Sequence, residues 1–582
     1  MNRKQRRATL KAGSPAHARG SDSGDKIKEL FYTAAKRERA GNLDDAVRFY
    51  KRALLLKPDH AETFNNLGRV LQALGKPADA SLYFARALAL MPQLLNQYSA
   101  ICATLVALLP PLGEALRRQS AHWPRRLSEH ELFGDAGIGA IAANPLLLEL
   151  MQSTLVQDIT FERLLTALRL SLLHRATSTM KIPDADLNFA RALAKQCFIN
   201  EYVFATTLDE DKHVDRLTRT IEEAGASGAP IEPLQLLILA MYRPLHVLVC
   251  ARELLDRRWA PPVDGVLSQQ IREPAREREL RETIPRLTPI DDEVSRRVQK
   301  QYEENPYPRW VHVARQETQI PLDQYLREQF PASALSPLGK NEALNMLIAG
   351  CGTGQVAIAF VQKYLGARAL AIDLSLSSLS YARRSTPATL AARIDYAQAD
   401  ILKLASIDRS FDVIDASGVL HHMVDPLKGW HTLLTLLRPG GFMHLGLYSE
   451  VGRQDVVAAR AFIANHGFGS TPAEIRRCRQ ELLKTPLASV TRFIDFFSTS
   501  ECRDLLFHVQ EARMTIPAIA EFIARHGLRF IGFEFERPAA EYYRNQFRNS
   551  GWSLTDLHRW HEIEMKFPDT FSGMYHFWVQ KA

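Results

Sequence analysis

A short apolar run followed by three glycines at alternate positions is the feature that most constrains the fold of this chain. Residues 344–349 read Leu-Asn-Met-Leu-Ile-Ala, residues 350–354 read Gly-Cys-Gly-Thr-Gly, and apolar residues then recur at helical spacing from 355 to 364. This order predicts a strand, a tight turn and a helix. Glycine lets a ligand approach closer than a Cβ would permit, and a helix N-terminus offers unpaired N–H groups. The stretch therefore predicts a site for a nucleotide-sized cofactor.

The spacing of these glycines separates two classes of cofactor. The dinucleotide fingerprint G-x-G-x-x-G, counted from Gly350 and Gly352, requires a third glycine at position 355, which is Gln355 here. The run is G-x-G-x-G instead, and a Pro-Gly-Gly turn follows at residues 439–441. Both features disfavour a nicotinamide oxidoreductase, which stays the weakest of the alternatives.

Further elements follow the glycine turn in a regular order. A second strand at 367–372 ends at Asp373, and a third at 394–399 ends at Asp400. Alternating or apolar runs predict the remaining strands at 411–416, 442–448, 529–535 and 575–579, with an amphipathic helix at 426–437. A mostly helical insertion separates the fifth strand from the last two.

In this series of elements the C-terminal part resembles the class I S-adenosylmethionine-dependent methyltransferases, whose motif I is the G-x-G-x-G run. The resemblance implies S-adenosyl-L-methionine as cofactor and a seven-stranded Rossmann-like α/β sheet whose final strand is antiparallel. It places an acid against the ribose at Asp373, and an acid and an apolar residue against the adenine at Asp400 and Ile401. The predicted cofactor-binding residues are Gly350, Cys351, Gly352, Gly354, Asp373, Leu374, Asp400, Ile401 and Ser417.

One position departs from the family pattern. The family usually carries Asp or Glu two residues before the first motif glycine, where this chain has Ile348. Upstream, residues 305–308 read Asn-Pro-Tyr-Pro, which resembles the Asn-Pro-Pro-Tyr motif of certain amino-methyltransferases. Because the position after strand four already holds Ser-Gly-Val-Leu-His-His, we favour a lid over the cofactor for residues 302–310. Glu303 or Glu304 in this lid is then the expected substitute for the missing acid.

The sequence identifies no single catalytic residue. The candidates are His421, His422, Tyr448 and Tyr307. A histidine with a pKa near neutral suits proton removal from a nitrogen or oxygen acceptor, and packing beside the cofactor is the alternative role of the His-His pair. No metal-ligand spacing is present, so no metal site is predicted. The six cysteines lie far apart, which predicts reduced thiols.

An internal repeat of 34 residues occupies the N-terminal region. Residues 27–60 and 61–94 match at Gly41 and Gly75, Ala46 and Ala80, Tyr50 and Phe84, Ala53 and Ala87, and Pro58 and Pro92. This period resembles the tetratricopeptide repeat, whose arrays commonly present a concave face to peptides. The repeats therefore predict docking of a protein or peptide partner, with a packing scaffold as the alternative. Residues 94–118 are expected to cap the exposed apolar face of the second repeat.

Residues 119–295 are predicted to form an all-helical middle domain, because apolar residues recur there at spacings of three and four. The segments with this pattern are 145–156, 161–173, 187–200 and 234–255. The Pro-Pro pair at 261–262 and the charged run at 272–281 are interpreted as a linker to the catalytic part, and for the charged run a solvated helix face is favoured over a binding patch.

The net charge of +8 is concentrated at the N-terminus. Residues 1–20 hold six Lys and Arg and no acid, so the rest of the chain is nearly balanced and a nucleic-acid partner is disfavoured. A disordered basic tail is predicted, with binding to RNA, a membrane surface or an acidic protein as alternatives. No apolar run reaches the roughly 18 residues needed to span a bilayer. The start lacks the apolar core of a secretory signal, which predicts a cytoplasmic location.

These observations predict a multidomain protein. The expected parts are a disordered tail at 1–26, tetratricopeptide-like repeats at 27–118, a helical middle domain at 119–295 and a class I methyltransferase domain at 296–582. The predicted function is methyl transfer from S-adenosylmethionine to an acceptor that the sequence does not name, with a protein docked by the repeats as one option. A non-catalytic scaffold that retains the fold is the main alternative, because of Ile348.

Overall fold

The computed structural model describes residues 19–91, 105, 108–175, 183–313, 316, 318–338, 343–535 and 537–582. Helices alone form the N-terminal half, and a seven-stranded sheet with flanking helices forms the C-terminal half. This confirms the predicted fold class. Among the residues described, no helix combines the length and the apolar character needed to cross a membrane.

The repeats form two helical hairpins with the predicted period. Their helices are Arg19–Arg39, Leu43–Leu56, Ala61–Ala73 and Pro77–Leu90. Gly41 and Gly75 turn the chain between the helices of each hairpin at φ angles of +77° and +68°, which a side chain would disfavour. Gly68 lies so close to Phe84 that a Cβ there would be 3.0 Å from the ring. The first helix begins inside the segment predicted as a disordered tail, and residues 1–18 of that tail lie outside the described residues.

The middle domain packs around one hydrophobic core that extends from the last repeat helix to Ile271. Its helices are Pro110–His122, Glu129–Phe133, Gly139–Ala142, Pro145–Ser153, Ile159–Arg175, Asp184–Ile199, Leu208–Ser227, Pro233–Ala240, Ala251–Leu255, Pro261–Leu267 and Glu273–Arg281. The predicted segment 234–255 is broken after Ala240, because Pro244 cannot continue a helix. Of the predicted cap at 94–118, residues 94–104 and 106–107 lie outside the described residues. Leu105 and residues 108–118 are described.

The predicted linker is helical from Pro261 onwards, so the Pro-Pro pair does not mark an extended segment, whereas the charged run does form a helix as expected. Pro261 begins a helix, a position at which a backbone N–H would have no partner within the helix, so proline costs no hydrogen bond there. Val263, Val266 and Leu267 of this helix are buried in the core. The charged run continues as the helix Glu273–Arg281, which packs against a helix of the C-terminal half. The segment therefore joins the two halves as a rigid element.

The sheet has the strand order β3-β2-β1-β4-β5-β7-β6. Its strands are β1 Leu344–Ala349, β2 Ala367–Asp373, β3 Ile394–Gln398, β4 Phe411–Ser417, β5 Leu437–Tyr448, β6 Leu528–Phe533 and β7 Met574–Lys581. The first five are mutually parallel and β7 is antiparallel to both of its neighbours, as predicted. The chain leaves β1 for β2 and β3 and returns to β4, so the topological switch point lies between β1 and β4.

Helices cover both faces of the sheet. The helices of the C-terminal half, including those of the insertion, are Glu293–Glu304, Leu322–Gln329, Gln355–Lys363, Leu376–Ser385, Pro426–Leu436, Gln454–His466, Pro472–Leu482, Thr499–Phe507, Ile516–Arg525, Arg537–Ser550 and Leu557–Lys566. The boundary predicted at residue 296 falls inside the first of these helices. Pro285, which precedes this boundary, already contacts the sheet: its carbonyl accepts a hydrogen bond from the Gln398 N–H of β3 at 2.8 Å.

The insertion after β5 has a small core of its own, around Val456, Ile475 and Phe496. Leu155 and Ile159 of the middle domain pack against this core. The insertion is therefore held between the sheet and the helical half.

Candidate functional site

A cavity of about 570 Å³ lies at the carboxyl ends of the strands next to the switch point. The glycine turn after β1, the ends of β2, β3 and β4, and residues of the helix Glu293–Glu304 form its walls. Of the predicted cofactor residues, those that line it are Gly350, Cys351, Gly352, Asp373, Leu374, Asp400, Ile401 and Ser417. The fold thus brings together side chains that are far apart in the sequence.

The three glycines of the turn have different neighbours. Their φ angles are +71° for Gly350, +50° for Gly352 and +85° for Gly354. A Cβ on Gly352 would lie 2.6 Å from the carbonyl oxygen of Tyr307. Gly354 does not line the cavity, and a Cβ there would lie 2.6 Å from the Cβ of Ala382. Gly354 therefore allows two helices to approach each other, whereas Gly352 lets an upstream segment lie on the turn.

Asp373 stands at the end of β2, facing the glycine turn. Its carboxylate accepts hydrogen bonds from the N–H groups of Gly352 and Ser375, both at 2.9 Å. Burial raises the pKa of Asp373 to about 6. A carboxylate has about four acceptor sites, so this one can accept hydroxyl groups from the cavity in addition to the two N–H groups.

Asp400 offers an unused acceptor at the end of β3. Its Oδ1 accepts from the Leu402 N–H at 2.9 Å, whereas its Oδ2 is buried with no hydrogen-bond partner in the described part of the chain. Ile401, which follows, is also buried and lines the same cavity. A buried carboxylate oxygen without a partner is costly, so this position fits a ligand that brings a hydrogen-bond donor.

Residues 306–311, here called the strap, lie over the glycine turn. The Thr353 hydroxyl donates to the Pro308 carbonyl and accepts from the Trp310 indole N–H at 3.0 Å. The Trp310 carbonyl in turn accepts from the Tyr381 hydroxyl. Tyr307 and Pro308 line the cavity, as expected for a lid over the cofactor.

The two acids next to the strap have other surroundings than expected. Glu303 accepts from the N–H groups of Leu376 at 2.7 Å and Ser377 at 3.2 Å and pairs with Arg281 at 3.0 Å. It therefore caps the helix Leu376–Ser385, and Glu304 is exposed and outside the cavity lining. The structure corrects the expectation that one of them replaces the acid missing at Ile348.

Two acids of the insertion line the cavity instead. Asp495 accepts from the Tyr307 hydroxyl at 3.2 Å, and Asp504 accepts from the Tyr302 hydroxyl. Burial and the neighbouring Asp504 raise the pKa of Asp495 to about 6. The insertion thus brings negative charge to the side of the cavity that the strap covers.

Tyr302 is at the centre of a buried polar cluster with His422, Asp504 and His508. Its hydroxyl oxygen lies 3.3 Å from His422 Nε2 and 3.2 Å from His508 Nε2. His508 Nδ1 accepts from the Gln510 N–H at 3.0 Å, so Nε2 of that neutral ring carries the proton. His422 Nδ1 faces the Gln510 carbonyl at 3.4 Å and is a donor there, which leaves its Nε2 unprotonated.

The same cluster has the residue types of a metal site. The ligand atoms of His422, Asp504 and His508 all lie within 4.8 Å of one another. Binding a metal through His508 Nε2 would move that ring's proton to Nδ1, against the Gln510 N–H. The hydrogen bonds therefore favour a proton-transfer network around the Tyr302 hydroxyl over a metal site.

The four candidate catalytic residues are placed differently. His422 lines the cavity, and burial lowers its pKa, so its ring is neutral near pH 7. His421 is fully buried outside the cavity lining and stacks on Tyr448 with ring centroids 3.5 Å apart. Tyr307 and Tyr448 line the cavity, and burial raises the pKa of each well above its ordinary value, so both stay protonated. His422 alone of the four offers an unprotonated nitrogen to the cavity.

Residues 347–445 match a family model described as a methyltransferase domain, and residues 34–93 match a model of the tetratricopeptide repeat. The chain carries a methyltransferase domain. This match confirms the predicted recognition of both modules and, at the level of the family, S-adenosylmethionine as the cofactor. A nicotinamide oxidoreductase receives no support from it.

Curated relatives match parts of the chain. An uncharacterised protein of a Synechococcus strain is 30% identical over 207 residues, which is 32% of this chain and 48% of that protein. A demethylmenaquinone methyltransferase of Clavibacter sepedonicus is 35% identical over 108 residues, 19% of this chain and 41% of that enzyme. The chain therefore spans less than half the length of these relatives.

The solved structures that match this chain have low sequence identity to it. The structure of PKMT2 from Rickettsia typhi in complex with AdoHcy is 18% identical, with a TM-score of 0.35. The alignment covers 44% of this chain and 52% of that chain.

Sequence reasoning missed the residues that the insertion contributes to the site. They are Asp495, Asp504 and His508. The available signal was the run Phe-Ile-Asp-Phe-Phe at 493–497, in which an acid interrupts apolar residues. An acid within such a run is buried with its neighbours and needs a hydrogen-bond or ion-pair partner, which makes it a candidate for a functional side chain in a buried site.

Proposed function

We propose that this protein transfers a methyl group from S-adenosylmethionine to an acceptor held between the strap and the insertion. The observation that carries the proposal is the cavity at the switch point, where the glycine turn, Asp373 and the unpartnered oxygen of Asp400 face one another. Cofactor sites of open α/β sheets lie at such a position. The family match at residues 347–445 supports the same reaction class.

Three carboxylates would hold the cofactor. Asp373 would accept the ribose hydroxyls, and Asp400 Oδ2 would accept from the adenine amino group with Ile401 against the ring. Asp495 would pair with the ammonium group of the methionine moiety, because it lies beside Tyr307, which covers Gly352. In this assignment Asp495 takes the role of the acid that the family carries at the position of Ile348.

The remaining groups would act on the acceptor. When bound, S-adenosylmethionine supplies an electrophilic methyl carbon, so the protein's task is to position the nucleophile in line with it and to exclude water. His422 Nε2 is unprotonated and faces the cavity, so it can take the proton that the acceptor loses. Once protonated, His422 Nε2 can donate to the Tyr302 hydroxyl oxygen 3.3 Å away, and that hydroxyl in turn donates to Asp504.

The charges at this end of the cavity favour an amine acceptor. With Asp495 paired to the cofactor, Asp504 would attract a protonated amine, whereas it would repel a carboxylate or a phosphate. Arg453 lies nearby, but Glu511 neutralises it at 3.0 Å. Tetratricopeptide repeats bind peptides in general, so we place the amine on a protein that the repeats dock.

Transfer of a labelled methyl group tests the proposal. The full-length protein is incubated with methyl-labelled S-adenosylmethionine and a fractionated cell extract, with Gly352→Val as the inactive control. We expect label in protein, stable to mild base, because methylamines survive conditions that hydrolyse methyl esters. Label in RNA or small molecules would contradict the acceptor assignment. Cofactor binding without transfer to any fraction would favour the non-catalytic scaffold.

A further inference from the structure

A second cavity, of about 760 Å³, lies between the helical middle domain and the methyltransferase domain. Residues of the helices Pro145–Ser153 and Asp184–Ile199 form one side of it. Residues of the helices Glu273–Arg281 and Leu376–Ser385 form the other. The cavity is larger than the cofactor cavity, and the proposed methyl transfer makes no use of it.

The strap separates this interdomain cavity from the cofactor cavity. Tyr307 and Pro308 face the cofactor side, whereas Arg309 and Trp310 face the interdomain side. A ligand between the domains would therefore contact the same short segment that covers Gly352. The two cavities are distinct sites with one common wall.

Most charged groups around the interdomain cavity are already paired with each other. The pairs are Arg384 with Glu273 at 3.1 Å and with Glu277 at 2.7 Å, Arg281 with Glu303 at 3.0 Å, and Arg309 with Glu201 at 2.9 Å. Glu149 accepts hydrogen bonds from the side chains of Gln152 and Ser153. Three of the four acids of the lining are thus neutralised by arginines, and Glu149 has neutral hydrogen-bond partners.

Lys195 and Arg278 are the exceptions. Within the described part of the chain neither makes a hydrogen bond or an ion pair, and of the two Arg278 is exposed whereas Lys195 is half-buried. A Cβ built on Gly265 would lie 3.9 Å from the Nζ atom of Lys195, which places the ammonium group against the helix Pro261–Leu267, just before the turn that follows it. Burial, together with the neighbouring Arg191, lowers the pKa of Lys195. A half-buried ammonium group without a partner costs the folded protein more than a neutral side chain would. Such a cost is typical of residues that serve in binding.

That turn is itself irregular. Residues Ser268–Arg272 form a π-helical turn between the helices Pro261–Leu267 and Glu273–Arg281. Ser268 and Gln269 of this turn line the cavity, and the Oε1 atom of Gln269 is buried without a hydrogen-bond partner among the described residues. Single π-helical turns occur frequently at functional sites. The turn therefore presents an unused acceptor near an unused cation.

We propose that the interdomain cavity binds a small anionic metabolite. Its phosphate or carboxylate pairs with the Lys195 ammonium, and a hydroxyl or amino group of the same ligand donates to Gln269 Oε1. The volume is that of an ordinary metabolite site. This site goes beyond the proposed function and does not rest on it.

Calorimetric titration of the full-length protein with inorganic phosphate and with citrate tests the site and distinguishes the two anion chemistries. Each titration is run with and without saturating S-adenosylmethionine, which excludes the cofactor cavity as the binding place. We expect at least one anion to bind with a Kd of about 1 mM or tighter. Lys195→Gln should weaken that binding about tenfold or more, because a charged hydrogen bond is lost. Lys195→Arg should retain it.

Two controls make the result decisive. Lys212→Gln, which changes an exposed lysine of the same domain, should bind the anion like the wild type. Without anion, Lys195→Gln should melt at or above the wild-type temperature, because it removes an unpaired charge. A clearly lower melting temperature would show a structural role for Lys195 and overturn the proposal. Absence of binding by both anions, or equal binding by Lys195→Gln and wild type, would overturn it as well.

Discussion

Arg479 of the insertion and Glu162 of the middle domain form a bidentate ion pair, with N···O distances of 3.0 and 2.7 Å. Both side chains are buried, and Arg479 also donates to the Phe496 carbonyl at 2.9 Å. Because Phe496 follows Asp495, the pair ties the segment that lines the cofactor cavity to the helical half. The middle domain is therefore part of the support of the site.

Breaking this ion pair should destabilise the protein. Arg479→Gln leaves the Glu162 carboxylate buried without its cation, and removing one partner of a buried pair costs about 3–5 kcal/mol. Urea unfolding followed by circular dichroism measures the change. Arg477→Gln, at an exposed position of the same helix, should change the free energy of unfolding by no more than about 0.5 kcal/mol. Equal stabilities of the two variants would show that the ion pair contributes nothing.

A side chain on Gly352 should abolish cofactor binding. In Gly352→Ala the new Cβ would meet the Tyr307 carbonyl oxygen at 2.6 Å, so the strap has to move away from the glycine turn. Gly440→Ala is the matched control, because Gly440 also has a positive φ, +74°, but its Cβ would meet no described atom within 4 Å. Titration with S-adenosylmethionine should show no binding for the first variant and wild-type affinity for the second. Retained binding by Gly352→Ala would contradict the position of the strap.

The role of Asp495 can be separated from the rest of the cofactor site by choice of ligand. Asp495→Asn should weaken S-adenosylmethionine binding roughly tenfold to a hundredfold, because it removes the charge opposite the ammonium group. The ligand 5′-methylthioadenosine keeps the adenine, ribose and sulfur but has no amino acid end, so its affinity should hardly change. Parallel losses for both ligands would mean that the substitution disturbs the cavity as a whole.

His444 should make stability depend on pH in the alkaline range. Burial alone would lower its pKa, but the hydrogen bond to Asp415 and the charges of Asp415 and Glu534, the latter 3.3 Å from Nε2, raise it to about 9, above the ordinary 6.5. A raised pKa stabilises the fold fully below about pH 6.5, and the contribution is lost as pH rises through 9. Urea unfolding at pH 6.5 and 9.5 should differ by up to about 3 kcal/mol from this group. In His444→Gln the free energy of unfolding should differ less between the two pH values. If the variant showed the same pH dependence as the wild type, the ion pairs of His444 would be contradicted.

Local sequence patterns were sufficient for the sheet and the glycine turn. β1 begins and ends as predicted, and the following helix, Gln355–Lys363, differs from the prediction by one residue. β5 starts earlier than predicted, at Leu437, because Leu437 pairs with Phe411 before residues 438–441 bulge out of the register and Phe442 pairs with Val413. The start of this strand depends on its pairing with a neighbouring strand, which cannot be predicted from the residues of β5 alone.

The same limit explains the errors around the site. Glu303 and Asp495 are both acids near aromatic residues, but Glu303 caps the helix Leu376–Ser385 whereas Asp495 lines the cofactor cavity, and these tertiary contacts have no local sequence pattern. The Pro-Pro pair at 261–262 is equally consistent with a linker and with the first turn of a helix. Burial of Val263 and Val266 in the middle domain selects the helix, and burial is a tertiary property.

Binding of S-adenosylmethionine by the full-length protein, compared with Asp373→Asn, tests the central claim most directly. We expect a Kd of about 1–100 μM at pH 8 and an affinity roughly tenfold to a hundredfold lower for the variant, because the ribose hydroxyls lose a carboxylate acceptor. Since the pKa of Asp373 is about 6, wild-type affinity should fall as pH is lowered through 6. Asp395→Asn, at an exposed position of β3, should bind like the wild type. No binding by the wild type, or equal affinity of Asp373→Asn, would contradict the account.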